Sequence, residues 1–579
     1  MIALLSGNEA FARGAYEANV KVASSYPGTP STEITENIRN YPNIYAEWAT
    51  NEKVALEVAA GASLSGKRAL TCMKHVGLNV AADPLMTLSY TGVNGGLVII
   101  VCDDPGMHSS QNEQDSRHYA KLSKLPMLEP SDSMEAKEFL IKAYEISEKF
   151  ECPVFIRSTT RISHSKSKVE LCEPILTKEK DIERNADKWV MVPANARKRH
   201  FIVEDRLKKL KEYFETSQIN TIEYNGKKVG FICSGITYQY VKEVFPDVSI
   251  FKLGCIYPLP VEKIKEFILS VENTFILEEL DPFIERELKA DGLSVKSTSR
   301  PICGELSPDI VKMLFTKDNQ RSNVVYKDLP ARPPNLCAGC AHRGIFYAIN
   351  KLKLFVVGDI GCYTLGYLSP LNAIHSCICM GASLSMAHGI DKATGGILSK
   401  NTVAVIGDST FLHTGINGLI NTVYNRGCST IILLDNKTTA MTGHQDNPGT
   451  GITLKGEPTY KLDFVELAKA LGIKNVATVD PTDVEKCINI LKKETSKDEL
   501  SLIITTRACI YADKSVISNP YYIDFDKCSG CKVCLKLACP AISFNTETNK
   551  ASIDPTLCTG CTLCLNVCKF SAISELIYK

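Results

Sequence analysis

Short apolar runs that stop abruptly at glycine or acid recur along this chain, and they set its fold class. GGLVIIVC (95–102), TVAVIG (402–407) and STIILLD (429–435) read as strands buried on both faces. A helix-compatible stretch, TGINGLINTVYNR (414–426), lies between the second and third. Strand, loop, helix and strand then make a βαβ unit with its Gly-Asp at a strand's carboxyl end. Open α/β sheets bind ligands at that edge. The pattern returns in KKVGFICSGITYQYVKEVF (227–245), FKLGCIYPLPVEKIKEFI (251–268) and VENTFILEELDPFIEREL (271–288). Nearer the N-terminus, SYPGTPSTEI (25–34) reads as a strand end, a Pro/Gly loop and a helix start. NEKVALEVAAGASLSGKRALT (51–71) reads as an Ala/Gly-rich helix followed by a strand.

Length makes this a multidomain chain. At 579 residues, and with about 100–200 residues per domain, three to five domains are expected. The net charge of +1 points to no nucleic-acid partner. No apolar run reaches the roughly 18 residues that span a bilayer, so no membrane partner is expected. The N-terminus lacks the basic region and long apolar core of a signal peptide. These features predict a cytoplasmic protein. Its 23 cysteines are the exception to an ordinary composition. In a reducing compartment such a count argues for metal or redox chemistry rather than disulfides.

Eight of those cysteines crowd into CSGCKVCLKLACP (528–540) and CTGCTLCLNVC (558–568). Three thiolates on a tight loop grip one face of a cubane cluster, and the other repeat supplies the fourth. Cys528, Cys531, Cys534 and Cys568 are thereby assigned to one [4Fe-4S] cluster; Cys558, Cys561, Cys564 and Cys539 are assigned to the other. Two zinc sites are the alternative, but zinc rarely takes eight cysteines in paired x2-x2 runs. The domain resembles bacterial two-cluster ferredoxins. It departs from them in the four residues before Cys539 and in Lys569, where proline usually follows the last cysteine. Either departure bears on whether one cluster is oxygen-labile or three-iron.

Asp408 and Asn436 stand 28 positions apart at the tips of successive strands. A hard cation bridging two phosphates takes oxygen ligands. Asp408, Asn436 and the Thr438 carbonyl supply that set, with Gly407 ahead of the acid. The alternative is a strand-end Asp in a turn and a capping Asn. The arrangement resembles the motif that binds thiamine diphosphate through Mg2+. With CAGCAHR (337–343) and GDIGCYTLG (358–366), the region is similar to the diphosphate-binding domain of 2-oxoacid:ferredoxin oxidoreductases.

That resemblance extends along the chain. It implies an α/β multidomain fold. Residues 1–165 form the pyrimidine-binding thiamine diphosphate domain, and 166–325 a linker plus a transketolase C-terminal-like domain. Residues 326–515 form the diphosphate-binding domain and 516–579 the two-cluster ferredoxin domain. It places the catalytic glutamate, which favours the imino form of the aminopyrimidine, at Glu52, with Glu57 as rival. In the long polar loop DDPGMHSSQNEQDSRHYA (103–120), Arg117 is a candidate for the substrate carboxylate and His108 for the carbonyl. Thr29 resembles a keto-acid contact of pyruvate-specific relatives. The domain order, PGTPSTE and the polar loop resemble the alpha subunits of indolepyruvate:ferredoxin oxidoreductase. Such a likeness implies oxidative decarboxylation of arylpyruvates with coenzyme A, a small beta subunit and external ferredoxin, in an anaerobe. Pyruvate or a branched-chain 2-oxoacid is the alternative substrate. A non-redox thiamine enzyme and a non-catalytic electron carrier are the other classes.

CAGCAHR leaves one question open. Many 2-oxoacid:ferredoxin oxidoreductases hold a cluster beside the thiamine, and Cys337, Cys340, Cys362 and Cys509 fill all four of its positions. Cysteine is also a common buried residue without a ligand role. Two clusters, one thiamine diphosphate and Mg2+ are therefore expected, with a third cluster undecided.

Overall fold

The computed structural model describes residues 1–175, 177, 180–316 and 333–576. The chain divides into two units, Met1–Lys327 and Asp328–Lys579. The boundary read at 325/326 lies outside the described residues.

The first unit is built on a seven-stranded sheet. Its order is Cys255–Tyr257, Met127–Leu128, Val154–Thr159, Leu97–Asp103, Ala69–Lys74, Val22–Ser25 and Tyr45–Trp48. Every neighbouring pair is parallel except the first, where Cys255–Tyr257 runs antiparallel to Met127–Leu128. The run LVIIVCD sits at the centre and is buried along its whole length. That burial on both faces is why it shows no polar alternation. A second sheet takes the order Asn273–Leu277, Val229–Ser234, Ser249–Leu253, Thr221–Glu223, with only the last strand antiparallel. The edge strand Cys255–Tyr257 thus comes from a segment whose other strands belong to this second sheet.

The charged stretch 180–216 is more engaged than its composition suggests. Helix Pro193–Thr216 buries Val203, Leu210 and Phe214. Its Arg206 guanidinium, also buried, donates to the Ser89 carbonyl at 2.6 Å. Long basic side chains lay apolar stems along a surface, so a Lys/Arg-rich helix still has a face to dock.

The second unit carries a five-stranded sheet, parallel throughout. Its order is Phe355–Val357, Thr402–Gly407, Thr430–Asp435, Ser501–Thr506 and Asn475–Val479. Side chains of a strand alternate between faces. Val403, Val405, Ile432, Leu434 and Ile503 therefore pack on one side, beneath Ile345, Phe346 and Leu491. Ala404, Ile406, Ile431, Leu433 and Leu502 pack on the other, beneath Leu384, Leu419 and Phe464. Two apolar faces leave one edge for chemistry. Beyond the sheet, Tyr521–Ile523 pairs with Ile573–Glu575 and Ile542–Asn545 with Lys550–Ile553, both antiparallel. A small core that includes Leu537, Leu563 and Val567 holds these ribbons together. Among the described residues, no helix is long and apolar enough to cross a membrane.

Candidate functional site

Four loops leave the carboxyl edge of the five-stranded sheet from adjacent strands. They carry Asp359 and Cys362, Asp408, Asn436 and Thr438, and Cys509. Parallel strands point all these loops the same way, which is how residues 150 positions apart come to one edge.

Asp408 opens the short helix after Thr402–Gly407 and is buried. Its Oδ1 accepts the Ser409 N–H at 2.8 Å, while its Oδ2 is buried without a partner. Burial, with the Asp435 carboxylate nearby, pushes its pKa up to about 7. The Asn436 amide faces Asp408 Oδ1 at 3.1 Å and the Thr438 carbonyl oxygen at 2.9 Å. With its nitrogen there, the amide donates to both. With its oxygen there, three oxygens converge, as ligands around a cation do. Oxygens on adjacent corners of a Mg2+ octahedron stand about 2.9 Å apart, given Mg–O bonds of roughly 2.0–2.1 Å. The donor set and the partnerless Asp408 Oδ2 fit a small divalent cation. Gly407 is required by packing, since a Cβ there would lie 2.7 Å from the Tyr363 ring.

Asp359, which the sequence did not single out, shapes the neighbouring loop. Its two oxygens accept the N–H groups of Gly381 at 2.8 Å and Ser383 at 2.9 Å. The Thr410 hydroxyl donates to the Ile360 carbonyl at 2.8 Å, tying GDIG to the Asp408 loop. A Gly-Asp at a strand end was the available signal, and it marks a clamp here rather than a cation ligand.

Cys337, Cys340, Cys362 and Cys509 line one pocket, together with Asn436, His342 and Tyr511. Burial pushes the Cys340 thiol up to about 12 and Cys362 up to about 11. Protonated thiols of this kind become ligands once a metal replaces the proton. Two further pockets gather the cysteines of the C-terminal domain. Cys528, Cys531, Cys534 and Cys568 line one, and Cys539, Cys558, Cys561 and Cys564 the other. In each, three cysteines come from one repeat and the fourth from its partner. The extra residue before Cys539 is absorbed at Ala538, which takes the left-handed conformation with φ 54°.

In the first unit, Asn51 caps helix Glu52–Leu64 by accepting the Val54 N–H at 2.9 Å. Glu52 is buried in the first turn, whereas Glu57 is exposed and pairs with Lys53. Gly77 makes the room: a Cβ there would stand 2.5 Å from Glu52 Oε1. Gly77 itself went unnoticed in the sequence, where a glycine inside a helix reads only as a weak helix former.

The polar loop differs from its expected role. Arg117 is fully buried, and its donors are taken up by Asp115 and Glu278, both at 2.5 Å, and by the carbonyls of Glu279 and Asp281. It holds the loop to the segment 278–281, and no part of its fork is left for a substrate carboxylate. His108 is exposed, with Nε2 3.2 Å from Glu305 Oε2. The Thr29 carbonyl accepts the Ser109 hydroxyl at 3.1 Å. Lys74, at the end of its strand, donates to the Ser109 carbonyl at 2.5 Å, and burial pulls its pKa down to about 8.

Three family models match segments of the chain. Residues 13–226 match the thiamine diphosphate-binding domain of pyruvate flavodoxin/ferredoxin oxidoreductase. Residues 359–505 match the C-terminal TPP-binding domain of thiamine pyrophosphate enzymes, and 520–569 a 4Fe-4S dicluster domain. The expected α/β class, with thiamine diphosphate domains and a C-terminal ferredoxin domain, is borne out. The chain is 40% identical to the indolepyruvate oxidoreductase subunit IorA of Pyrococcus abyssi, covering 99% of this chain and 97% of that one. Identity to the IorA subunit of Thermococcus kodakarensis is 41%, with the same coverages. To that of Archaeoglobus fulgidus it is 39%, over 98% of this chain and 97% of the relative.

Proposed function

This chain belongs to the family of indolepyruvate oxidoreductase IorA subunits, among the 2-oxoacid:ferredoxin oxidoreductases, and we propose that it oxidatively decarboxylates arylpyruvates. The reaction we assign joins indolepyruvate, phenylpyruvate or hydroxyphenylpyruvate to coenzyme A. It gives an aryl-acetyl thioester, carbon dioxide and reduced external ferredoxin. A small beta subunit completes the enzyme, in the cytoplasm of an anaerobe. Thiamine diphosphate supplies the carbanion chemistry at the keto carbon, and iron–sulfur clusters take the electrons released.

The chain's own residues have separate tasks. Asp408, Asn436 and the Thr438 carbonyl would hold Mg2+, which would supply positive charge for the diphosphate. Glu52 holds the proton at a ring nitrogen of the aminopyrimidine. Cys528, Cys531, Cys534 and Cys568 bind one [4Fe-4S] cluster, and Cys539, Cys558, Cys561 and Cys564 the second. Cys337, Cys340, Cys362 and Cys509 would hold a third, which would supply an electron acceptor at the same sheet edge.

One observation carries the proposal: the Asn436 amide faces Asp408 Oδ1 and the Thr438 carbonyl, and Asn436 also lines the pocket of Cys337, Cys340, Cys362 and Cys509. A diphosphate-holding cation and an electron acceptor then share one sheet edge. Anaerobic purification with the partner subunit, followed by iron, sulfide and thiamine quantitation, tests the composition. Steady-state rates with each arylpyruvate and with pyruvate, using coenzyme A and ferredoxin or a viologen, test the substrate. Faster turnover of pyruvate than of indolepyruvate would overturn the arylpyruvate assignment.

A further inference from the structure

Arg343, the last residue of CAGCAHR, is fully buried, and among the described residues no carboxylate reaches it. Its hydrogen-bond partners are backbone carbonyls. Nε donates to Cys337 O at 2.9 Å, and Nη2 donates to Leu336 O. Nη1 donates to Leu537 O at 2.9 Å and to Ala538 O at 2.5 Å. The first pair belongs to the CAGC loop, and the second immediately precedes Cys539. A buried guanidinium is costly unless negative charge faces it. What surrounds this one is sulfur: Arg343 shares a pocket with Cys539, Cys558, Cys561 and Cys564, and Cys337 and Cys340 lie just ahead of it in the chain.

The surrounding loop is built to bring two sets of cysteines close. Cys337 and Cys340 line the pocket shared with Cys362 and Cys509. The two residues between them, Ala338 and Gly339, line the pocket of Cys539, Cys558, Cys561 and Cys564, as does Arg343 itself. Gly339 has φ 69°, and a Cβ there would lie 2.0 Å from Thr559 Oγ1 in the CTGC loop. Only glycine permits that approach. The irregular spacing before Cys539 belongs to the same device. The added residue, in its left-handed turn, aims the Leu537 and Ala538 carbonyls at Arg343.

We propose that Arg343 is the positioning and counter-charge residue of the ferredoxin cluster held by Cys539, Cys558, Cys561 and Cys564 (the inner cluster), fixing its turn against the CAGC loop and raising its reduction potential. The inference rests on the cluster assignment above. Cluster potentials follow net charge, hydrogen bonding and exposure, so a buried cation favours the reduced state. It should act far more on the Cys539–Cys558–Cys561–Cys564 cluster than on the Cys528 cluster, whose pocket Arg343 does not line.

The test is an EPR-monitored redox titration of the anaerobic heteromer, with iron content measured alongside, for wild type, Arg343→Gln and Arg343→Lys. Arg343→Gln should shift the one-electron equilibrium of the inner cluster at least tenfold toward oxidation, a fall of about 59 mV. The other ferredoxin cluster should move by less than half of that, and Arg343→Lys should stay near wild type. An unmoved inner cluster in Arg343→Gln with full iron, or equal shifts in both clusters, overturns the proposal. If Arg343→Gln takes up no iron, Arg343→Lys decides: a wild-type midpoint supports the charge role, and a tenfold shift refutes it. A wild-type chain without iron in these cysteines would sink the cluster assignment instead.

Discussion

The backbone N–H of Cys509 donates to the carbonyl oxygen of Asn436 at 2.9 Å. Asn436 therefore turns its side chain toward Asp408 and its main chain toward a cysteine of the neighbouring pocket. The bond crosses adjacent parallel strands, Thr430–Asp435 and Ser501–Thr506, just past their carboxyl ends. In the function proposed, a candidate cation site and a cysteine pocket so tightly joined predict electron capture close to the cofactor.

Replacing one pocket cysteine should then remove iron and leave thiamine. Three cubane clusters hold about twelve irons per chain, and two about eight. We expect Cys362→Ser to lose about three to four irons per chain while retaining thiamine diphosphate, with viologen reduction falling in step. Iron content near eight in the wild type, or unchanged in the variant, would rule out the third cluster.

Asp408→Asn should separate the cation from the protein. The variant keeps the shape of the side chain and removes the one carboxylate from the set of Asp408, Asn436 and the Thr438 carbonyl. Loss of even an indirect metal partner costs about 10–100-fold in metal affinity. We expect at least about 100-fold weaker Mg2+-dependent retention of thiamine diphosphate, read as cofactor content after gel filtration, with iron undiminished. Retention equal to wild type would remove Asp408 from the cation site.

The two glutamates of helix Glu52–Leu64 make opposite predictions. Glu52→Gln should slow deuterium exchange at the thiazolium C2 by about 10²–10⁴-fold, the usual range for a positioned acid–base group. Glu57→Gln, at an exposed residue that pairs with Lys53, should exchange at the wild-type rate. Gly77→Ala should slow exchange too, because its Cβ takes the place of the Glu52 carboxylate. Normal exchange in Glu52→Gln would return the role to another group.

Much of this site was legible because its chemistry is local in sequence. Cys528, Cys531 and Cys534 lie on one loop, and a strand followed by Gly407–Asp408 is a short contiguous pattern. The α/β class followed from apolar runs that lacked alternation, as in Leu97–Asp103. What stayed hidden depends on partners distant in sequence. Arg117 looked like a free fork on a polar loop, yet Glu278 is 161 positions away and holds it. Gly77 and Arg343 were equally unreadable, since one is defined by a carboxylate on another helix and the other by carbonyls near 537. The edge strand Cys255–Tyr257 carries no mark of the sheet it joins.

Arg117→Met should therefore act on stability before catalysis. Removing one member of a buried ion pair costs about 3–5 kcal/mol, because the remaining charges stay buried. Asp115 and Glu278 would be left so. We expect a lower urea midpoint for the variant, with an unchanged KM for the 2-oxoacid in whatever fraction folds. Wild-type stability with a selectively raised KM would restore Arg117 to the substrate.

Glu279 gives the chain a pH signature of its own. Burial pushes its carboxyl from the ordinary 4.5 up to about 7; the Leu306 N–H and Arg157 pull it down, and Glu305 and Glu129 oppose them. The folded protein thus holds a proton between pH 4.5 and about 7 that the unfolded chain releases. Stability from this group is fully present below 4.5 and is lost as pH rises through 7, so burial of the charge destabilises the fold in alkali. The difference amounts to about 3 kcal/mol at most, at about 1.4 kcal/mol per unit. Glu279→Gln keeps an oxygen for the Leu306 N–H, now accepted at 2.9 Å, and abolishes the ionisation. Its thermal midpoint should exceed that of wild type at about pH 8 and converge with it at about pH 5. A gain that is equal at both, or larger in acid, would show that Glu279 is already charged in the folded protein.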